Sequence, residues 1–226
     1  MRTKRYISLL LAALMVLTLT ACGAKKDKDK DKQDEAGMTI APAQLTEEET
    51  AFTGLLDLEM KAYRIFDFQV SGAKSIKLSA YELVDNDWSP VHTHEGPSLD
   101  GAGRIALMFG RMNDGVTIRY QQEGSSGGTQ FVMPGGEEVS LFYATSALNA
   151  TTDVALEQEI PLAIQIATTQ NEINSYDVQY FGMPRELAKN GYEHVYAITV
   201  TFRASTVADS LQDPPAEPSE SAGPVG

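Results

Sequence analysis

The chain has 226 residues and carries 18 Lys and Arg against 31 Asp and Glu, a net charge of −13 at pH 7. An excess of negative charge of this size repels nucleic acid, so no nucleic-acid partner is predicted. Only one cysteine is present, which excludes a disulfide within the chain.

The N-terminus begins with basic residues and continues with an apolar run, residues 6–20. This run is shorter than the about 20 residues that a transmembrane helix needs, but it has the length of a secretory signal. It ends in Leu19, Thr20, Ala21 and Cys22. A plain secretory signal requires no cysteine at this position, so the ending indicates a more specific kind of signal.

These four residues resemble the lipobox of bacterial lipoproteins, in which a leucine, two small residues and a cysteine are read together. The resemblance covers residues 1–23 and implies cleavage before Cys22 and attachment of diacylglycerol to it. The membrane lipid is then a partner, through acylated Cys22, and the localisation is extracytoplasmic, at the bacterial cell membrane. Lipidation also explains why a secreted chain carries an odd cysteine. The alternative is a plain secretory signal that happens to contain a cysteine.

The chain is predicted to have four parts: a signal peptide at residues 1–21, a lipidated cysteine and stalk at 22–38, a folded domain at 39–204 and a tail at 205–226. The stalk alternates Lys and Asp, and the tail is rich in Pro, Glu and Ser. Both lack the periodic apolar residues that a core requires, so both are predicted to be disordered. The domain between them is acidic, with 10 Lys and Arg against 22 Asp and Glu.

Apolar and polar residues of the domain alternate with a period of two, as in strands with one buried face. The predicted core positions are Phe66, Phe68 and Val70, then Ile76, Leu78 and Ala80, then Val116, Ile118 and Tyr120, then Val139, Leu141 and Tyr143, then Leu162, Ile164 and Ile166, then Tyr176, Val178 and Tyr180, and finally Tyr196, Ile198, Val200 and Phe202. This pattern is typical of an all-β protein. We predict a mainly all-β fold, an antiparallel β-sandwich or jelly-roll-like arrangement with one or two short helices.

Two strand segments carry more particular expectations. Residues 104–109 are predicted to form a strand buried on both faces, because apolar residues occupy consecutive positions there. On the last segment, Thr199 has the opposite parity to the apolar residues and is expected to face solvent. Stretches rich in Gly, Asn and Asp, which tolerate tight turns, are predicted to separate the strands as turns or loops at 85–87, 113–115, 124–128 and 134–136.

Two short helices are predicted from their end signals. Thr46 and Glu49 have the spacing of a capping box, and apolar Phe52, Leu55, Leu56 and Met60 follow it. A second helix is predicted to begin near Pro184, which suits the first turn, and to stop at Gly191.

The histidine pair His92 and His94 is the candidate for metal chemistry. In an extended chain both rings would face one side, as two metal ligands must, while Glu95 would face the other. The stretch resembles part of the His-x-His-plus-Glu pattern of cupins, but the glutamate follows immediately and the glycine lead-in is absent. A solvated loop is the preferred interpretation, so no metal and no cofactor are predicted. His194 is interpreted as a packed, hydrogen-bonded residue at the end of an apolar strand face.

No catalytic residue is predicted, because the chain contains neither a nucleophile elbow nor a phosphate-binding loop. Trp88, beside a predicted turn, is the candidate for contact with a ligand. The favoured function is a membrane-anchored extracytoplasmic lipoprotein that presents a β-sandwich binding or interaction module to an unknown protein or glycan. The alternatives are a metal-binding protein or metal-dependent enzyme that uses His92 and His94, and a structural component of the cell envelope.

Overall fold

The computed structural model describes residues 37–55, 63–97, 101–135 and 141–210. Cys22, the signal peptide and nearly all of the predicted stalk lie outside these residues. The described strands are β1 (Thr39–Pro42), β2 (Tyr63–Val70), β3 (Ser75–Val84), β4 (Asp87–Gly96), β5 (Gly101–Met108), β6 (Val116–Gln122), β7 (Ser125–Phe131), β8 (Phe142–Ala147), β9 (Thr152–Asp153), β10 (Glu159–Thr168) and β11 (His194–Arg203). The described helices are α1 (Glu47–Leu55), α2 (Pro184–Ala188) and α3 (Val207–Ser210), with 3-10 turns at Met112–Asp114 and Val178–Gly182.

The strands form two antiparallel sheets. The six-stranded sheet has the order β7-β6-β5-β2-β1-β9, and the five-stranded sheet has the order β4-β3-β11-β10-β8. All of the described pairings are antiparallel. The predicted fold class is therefore confirmed: the protein is mainly β, with two sheets in a sandwich and a few short helices.

The main core lies between the two sheets and is built from the alternating residues of both. Phe68 of the six-stranded sheet and Phe202 of the five-stranded sheet meet there with ring centroids 5.0 Å apart. Most of the predicted core positions are buried in this cluster: Phe66, Phe68, Val70, Ile76, Leu78, Ala80, Val116, Ile118, Tyr120, Leu141, Leu162, Val178, Tyr196, Ile198, Val200 and Phe202. Tyr143 packs against it, and Val139 lies outside the described residues.

The outer face of the five-stranded sheet is covered by residues 169–192, the covering segment. A second apolar cluster forms there, in which Ile164, Ile166, Val195 and Ala197 of the sheet pack with Leu187 of α2. The aromatic residues Tyr176, Tyr180, Phe181 and Tyr192 of the same segment pack against this cluster. The prediction of a strand through Tyr176, Val178 and Tyr180 is wrong, because this part of the chain crosses the sheet with a 3-10 turn instead of joining its edge.

The burial of β10 and β11 also differs from the expectation. Thr199 was expected to face solvent, but it is 0% exposed. On β10, an irregularity between Pro161 and Ala163 shifts the alternation, so Leu162 packs in the main core while Ile164 and Ile166 pack in the second cluster. Both central strands are therefore buried on both faces.

Strand β5 is less buried than the sequence predicts. Ile105 and Leu107 are fully buried, whereas Ala106 and Met108 are partly exposed. The expected burial of this segment on both faces is therefore wrong, because the outer face of the six-stranded sheet here is open.

The turn chemistry agrees with the structure at two of the predicted positions. Asp85 and Asn86 have φ values of 52° and 68°, which close the β3–β4 hairpin with a two-residue turn of the kind that Asn and Asp favour. Residues 113–115 lie in the β5–β6 connection, where a 3-10 turn precedes Gly115. The expected loop at 124–128 is wrong except at its first residue, because Ser125 begins β7. Gly135 has a φ of 83°, as in a turn, and the residue after it lies outside the described part.

The predicted capping box is present at the start of α1. The Thr46 backbone N–H donates to Glu49 Oε2 at 2.9 Å, and the Glu49 N–H donates to Thr46 Oγ1 at 3.2 Å. The helix buries none of its residues: Phe52 is 61% and Leu55 is 84% exposed. Leu56 and Met60 lie outside the described residues.

Helix α2 agrees with its predicted ends, whereas helix α3 was not predicted. α2 begins at Pro184, and Gly191 follows it with a φ of 63°, as predicted. Helix α3 differs from the expectation that the tail is disordered from residue 205. Its first turn is capped by two hydrogen bonds: the Thr206 backbone N–H donates to Asp209 Oδ2, and the Asp209 backbone N–H donates to Thr206 Oγ1. Residues 211–226 lie outside the described part.

Candidate functional site

The histidine pair lies on a strand and not in the solvated loop that was expected. His92 and His94 belong to β4, opposite Ala80 and Leu78 of β3, which face the core. Both rings therefore point to the inner side of the sandwich, at the edge where β4 approaches the six-stranded sheet. The alternation expected for an extended chain is confirmed, because Glu95 lies on the other side and accepts a hydrogen bond from Arg203 at 2.9 Å.

Both histidine rings contact the opposite sheet. His92 Nε2 lies 2.8 Å from Thr129 Oγ1, and its ring stacks on Phe131 at a centroid distance of 4.5 Å. The ring centroids of His94 and Tyr120 are 6.4 Å apart. The pair thus connects the edges of the two sheets. Within the described residues no group of three or more His, Cys, Asp or Glu side chains has a geometry that could hold a metal ion.

His94 gives the fold a predicted dependence on pH. Burial, with a contribution from nearby His92, lowers the pKa of His94 below its usual value. In the unfolded chain the ring takes up its proton at a pKa of about 6.5. Acidification therefore protonates the unfolded state first, and stability is lost as the pH falls below that value and through the lower folded pKa.

We expect the melting temperature to fall between pH 7.5 and pH 5.5, and His94→Asn to reduce this dependence. Thr93→Asn, at the exposed neighbouring position of β4, is the matched control and should leave it unchanged. Thermal unfolding followed by circular dichroism at several pH values measures the effect. An identical pH dependence in the wild type and in His94→Asn would contradict the assignment.

His194 is a packed, hydrogen-bonded residue, as its position at the end of an apolar strand face indicated. Its Nδ1 lies 2.8 Å from Glu82 Oε1 on the neighbouring strand β3. Its ring stacks on Tyr196, at a centroid distance of 5.7 Å and an interplanar angle of 10°.

Trp88 contacts the covering segment. Its indole N–H donates to the carbonyl oxygen of Phe181 at 2.7 Å, and the two rings stack with centroids 5.1 Å apart. The side chain is partly buried. These contacts give Trp88 a role in packing, and its contact with a ligand stays a prediction.

An open groove with a volume of about 590 Å³ crosses the outer face of the six-stranded sheet. The residues that line it come from three adjacent strands: Arg104 and Ala106 of β5, Arg119, Tyr120 and Gln121 of β6, and Ser126, Gly127 and Gly128 of β7. Sheet register explains its shape, because Ala106, Arg119 and Gly128 lie directly opposite one another in one row across the sheet. The short side chains on either side of Arg119 leave the floor of this groove, the Arg119 groove, low.

Gly128 allows Arg119 to lie flat against β7. A Cβ atom at this position would lie 2.8 Å from Arg119 Cδ and 2.2 Å from the carbonyl oxygen of Ile118. A side chain larger than hydrogen would therefore displace the arginine stem. The guanidinium of Arg119 is exposed and has no acidic partner among the described residues.

Arg104, in the adjacent row of side chains across the sheet, already forms ion pairs within the protein. Its Nε donates to Asp67 Oδ1 at 2.6 Å, and its Nη1 donates to Glu49 Oε1 at 2.7 Å. These two hydrogen bonds raise the pKa of Arg104 above its usual value. The pKa of Glu49 is lowered by the backbone hydrogen bond from Thr46 and then by Arg104. The second arginine thus forms a wall of the groove, with its charge neutralised within the protein.

Two further cavities continue along the same face. One, of about 420 Å³, lies beside Met108, Thr117 and Gln130, and the other, of about 440 Å³, lies beside Asp67 and Gln122. A separate cleft of about 390 Å³ lies where β10 meets the covering segment. Its carboxylates are already engaged: Glu159 accepts from Tyr81 at 2.7 Å and Asp177 from the backbone of Gln179 at 3.0 Å.

Sequence reasoning did not identify the Arg119 groove. Arg119 was assigned correctly to the polar side of its strand, but one strand alone does not indicate a groove. The signal lies in the pairing, since Ala106 and Gly128 become its neighbours only when β5, β6 and β7 are aligned. Segment 124–128, expected to be a loop, supplies the third of these strands.

No family model, no curated protein and no solved structure matches this chain. Among the described helices, none combines the length and the apolar character needed to cross a membrane. The class of the protein is therefore given by its own architecture, a mainly β protein made of two antiparallel sheets.

Proposed function

We propose that the protein is a lipid-anchored extracytoplasmic binding module whose ligand surface is the outer face of the six-stranded sheet. The observation that carries this proposal is the Arg119 groove, an open cavity in a sheet face that is otherwise built for contact with water. The inner faces of both sheets are used for the main core, and the outer face of the five-stranded sheet is used for the covering segment. Of the described sheet faces, this one remains accessible.

The side chains of this face suit a polar ligand. Outward positions across the sheet carry amide, hydroxyl and guanidinium groups, including Gln121, Ser126, Gln130 and Arg119, all of which are exposed. Specific sites combine such fixed polar groups with a concave shape. The groove spans three paired strands, so its walls are held by sheet hydrogen bonds and not by loops.

The membrane anchor is supported by the sequence Leu19-Thr20-Ala21-Cys22, which resembles a lipobox. A cysteine with diacylglycerol carries two chains, enough for stable attachment. We predict that Cys22→Ser moves the protein from the membrane fraction to the soluble fraction and removes the mass of the lipid. Cell fractionation with mass spectrometry measures both. A protein that stays in the membrane with unchanged mass would show that Cys22 is not the anchor.

The binding surface is tested by locating a ligand. The full chain, purified in detergent, is screened against arrays of glycans and peptides, and each binder is retested with Arg119→Glu. Arg185→Glu is the matched control, because Arg185 is also exposed but lies on α2, on the other side of the sandwich. The proposal expects binding to be lost in Arg119→Glu and kept in Arg185→Glu. Binders that are indifferent to Arg119→Glu would overturn the assignment of this face.

A further inference from the structure

We propose that the Arg119 groove binds a single carboxylate carried on an otherwise uncharged oligosaccharide. This inference rests on the proposed function, since it names the ligand class of the same surface. It is drawn from three features of the described residues: the state of the two arginines, the groups beside Arg119, and the charge of the domain around them.

The arginines indicate that the ligand is an anion. Arg104 has its guanidinium engaged by Asp67 and Glu49, so its charge is satisfied within the protein. Arg119 has no such partner among the described residues, and its stem is seated against Gly128. A guanidinium presents two parallel N–H groups that match the two oxygens of a carboxylate. Arg119 therefore provides a positioned cation with donors left for a ligand.

The groups beside Arg119 indicate that the anion is attached to a hydroxyl-rich chain. Gln121 and Ser126 face each other in the next row of the sheet, and both line the groove. An amide and a hydroxyl can each donate and accept, as the hydroxyl groups of a sugar can. The adjoining cavity adds the neutral polar side chains of Thr117 and Gln130, beside the charged Arg111 and Asp114.

The charge of the domain limits how many anionic groups the ligand carries. The predicted domain has 22 Asp and Glu against 10 Lys and Arg, so its net charge is negative. Within the groove, Arg119 is the guanidinium without an acidic partner among the described residues, and it can hold one carboxylate; Arg111 belongs to the adjoining cavity. A dense polyanion would place its other charges against the net negative charge of the domain. The geometry therefore favours a ligand with isolated carboxylates over a polyphosphate or a heavily sulfated chain.

The test uses oligosaccharides in matched pairs, each uronate-containing oligosaccharide beside the same molecule with its carboxylate reduced to a hydroxymethyl group. Binding of the full chain in detergent is measured by calorimetry for array hits. We expect at least one uronate to bind about tenfold or more tightly than its reduced counterpart, as a charge-assisted hydrogen bond would give. Its affinity should weaken as salt is added, because the contact is partly exposed.

Variants of Arg119 distinguish the contribution of its charge from that of its forked geometry. Arg119→Gln should bring the affinity for the uronate down to that for its reduced counterpart, and Arg119→Lys should recover part of it, because lysine keeps the charge but loses the forked geometry. Gln121→Ala should weaken both members of a pair alike. Arg185→Gln, which removes an exposed arginine elsewhere, should change nothing.

Three outcomes would overturn the inference, and they differ in what they leave standing. If no uronate in the panel is preferred over its reduced counterpart, but neutral members bind and are lost in Arg119→Gln or Gln121→Ala, the ligand class is wrong and the binding face is right. If uronates bind equally well to Arg119→Gln and to the wild type, both the ligand class and the binding face are wrong. If dense polyanions bind more tightly than isolated carboxylates, the charge argument fails.

Discussion

Ile198→Ala is expected to lower the free energy of unfolding by about 2–5 kcal/mol, the range for removing a large aliphatic side chain from a closed core. Ile198 is 0% exposed and lies on β11, the central strand of the five-stranded sheet. It packs in the main core, and its strand is paired on both sides, with β3 and with β10. The site therefore has little freedom to collapse around the cavity.

The matched control is Ile65→Ala, the same change on the outer face of the six-stranded sheet. Ile65 is only partly buried, so its loss should be clearly smaller. Urea unfolding followed by fluorescence measures both variants. Equal losses at Ile198 and Ile65 would mean that the register of β11 is wrong.

Gln165 is the second position at which a large effect is expected. Its side chain is 0% exposed and is fully bonded: Oε1 accepts from the backbone N–H of Met112 at 2.6 Å, and Nε2 donates to the carbonyl oxygen of Gly110 at 3.0 Å and to Thr145 Oγ1 at 2.8 Å. These hydrogen bonds link the β5–β6 connection of one sheet to β10 of the other. Leaving such buried groups without a partner costs about 1–3 kcal/mol each.

We expect Gln165→Met, which keeps the length of the side chain but removes its hydrogen bonds, to lower the free energy of unfolding by about 2 kcal/mol or more. Gln130→Met is the control, because Gln130 is an exposed glutamine on β7 and should tolerate the change. Hydrogen exchange at the Met112 amide gives a local measurement, and it should accelerate only in the Gln165 variant. An unchanged exchange rate there would contradict the role of the side chain.

Alternation along single strands was enough to predict the fold class and most of the core. On β2, β3, β6 and β11 the apolar positions identified from the sequence are buried in the main core, because each of these strands turns one consistent face towards it. What alternation does not indicate is whether the opposite face is covered. Thr199 is a polar residue at the expected parity, yet it is buried and its hydroxyl donates to Glu159 Oε1 at 2.6 Å.

Spacing along the chain is also insufficient to predict the conformation of the covering segment. Tyr176, Val178 and Tyr180 have the spacing of a strand, but Val178 packs in the main core while the two tyrosines pack on the outer face of the sheet. Short irregular segments and 3-10 turns also bring every second or third residue to one side, so the spacing alone does not identify a strand. The candidate groove was missed because its parts lie on three strands, and their alignment depends on tertiary pairing.

The position of β11 has a consequence for the order in which the chain can fold. β11 is the last of the described strands, yet it lies between β3 and β10, and Leu78 pairs with Val200 across most of the domain. During synthesis from the N-terminus, the five-stranded sheet therefore cannot close until β11, residues 194–203, has been synthesised. Until then the β3–β4 hairpin and the β8–β10 pair are separate pieces with unpaired edges, and long-range closure of this kind is slow. A truncation before His194 would thus remove the middle of a sheet and not its end.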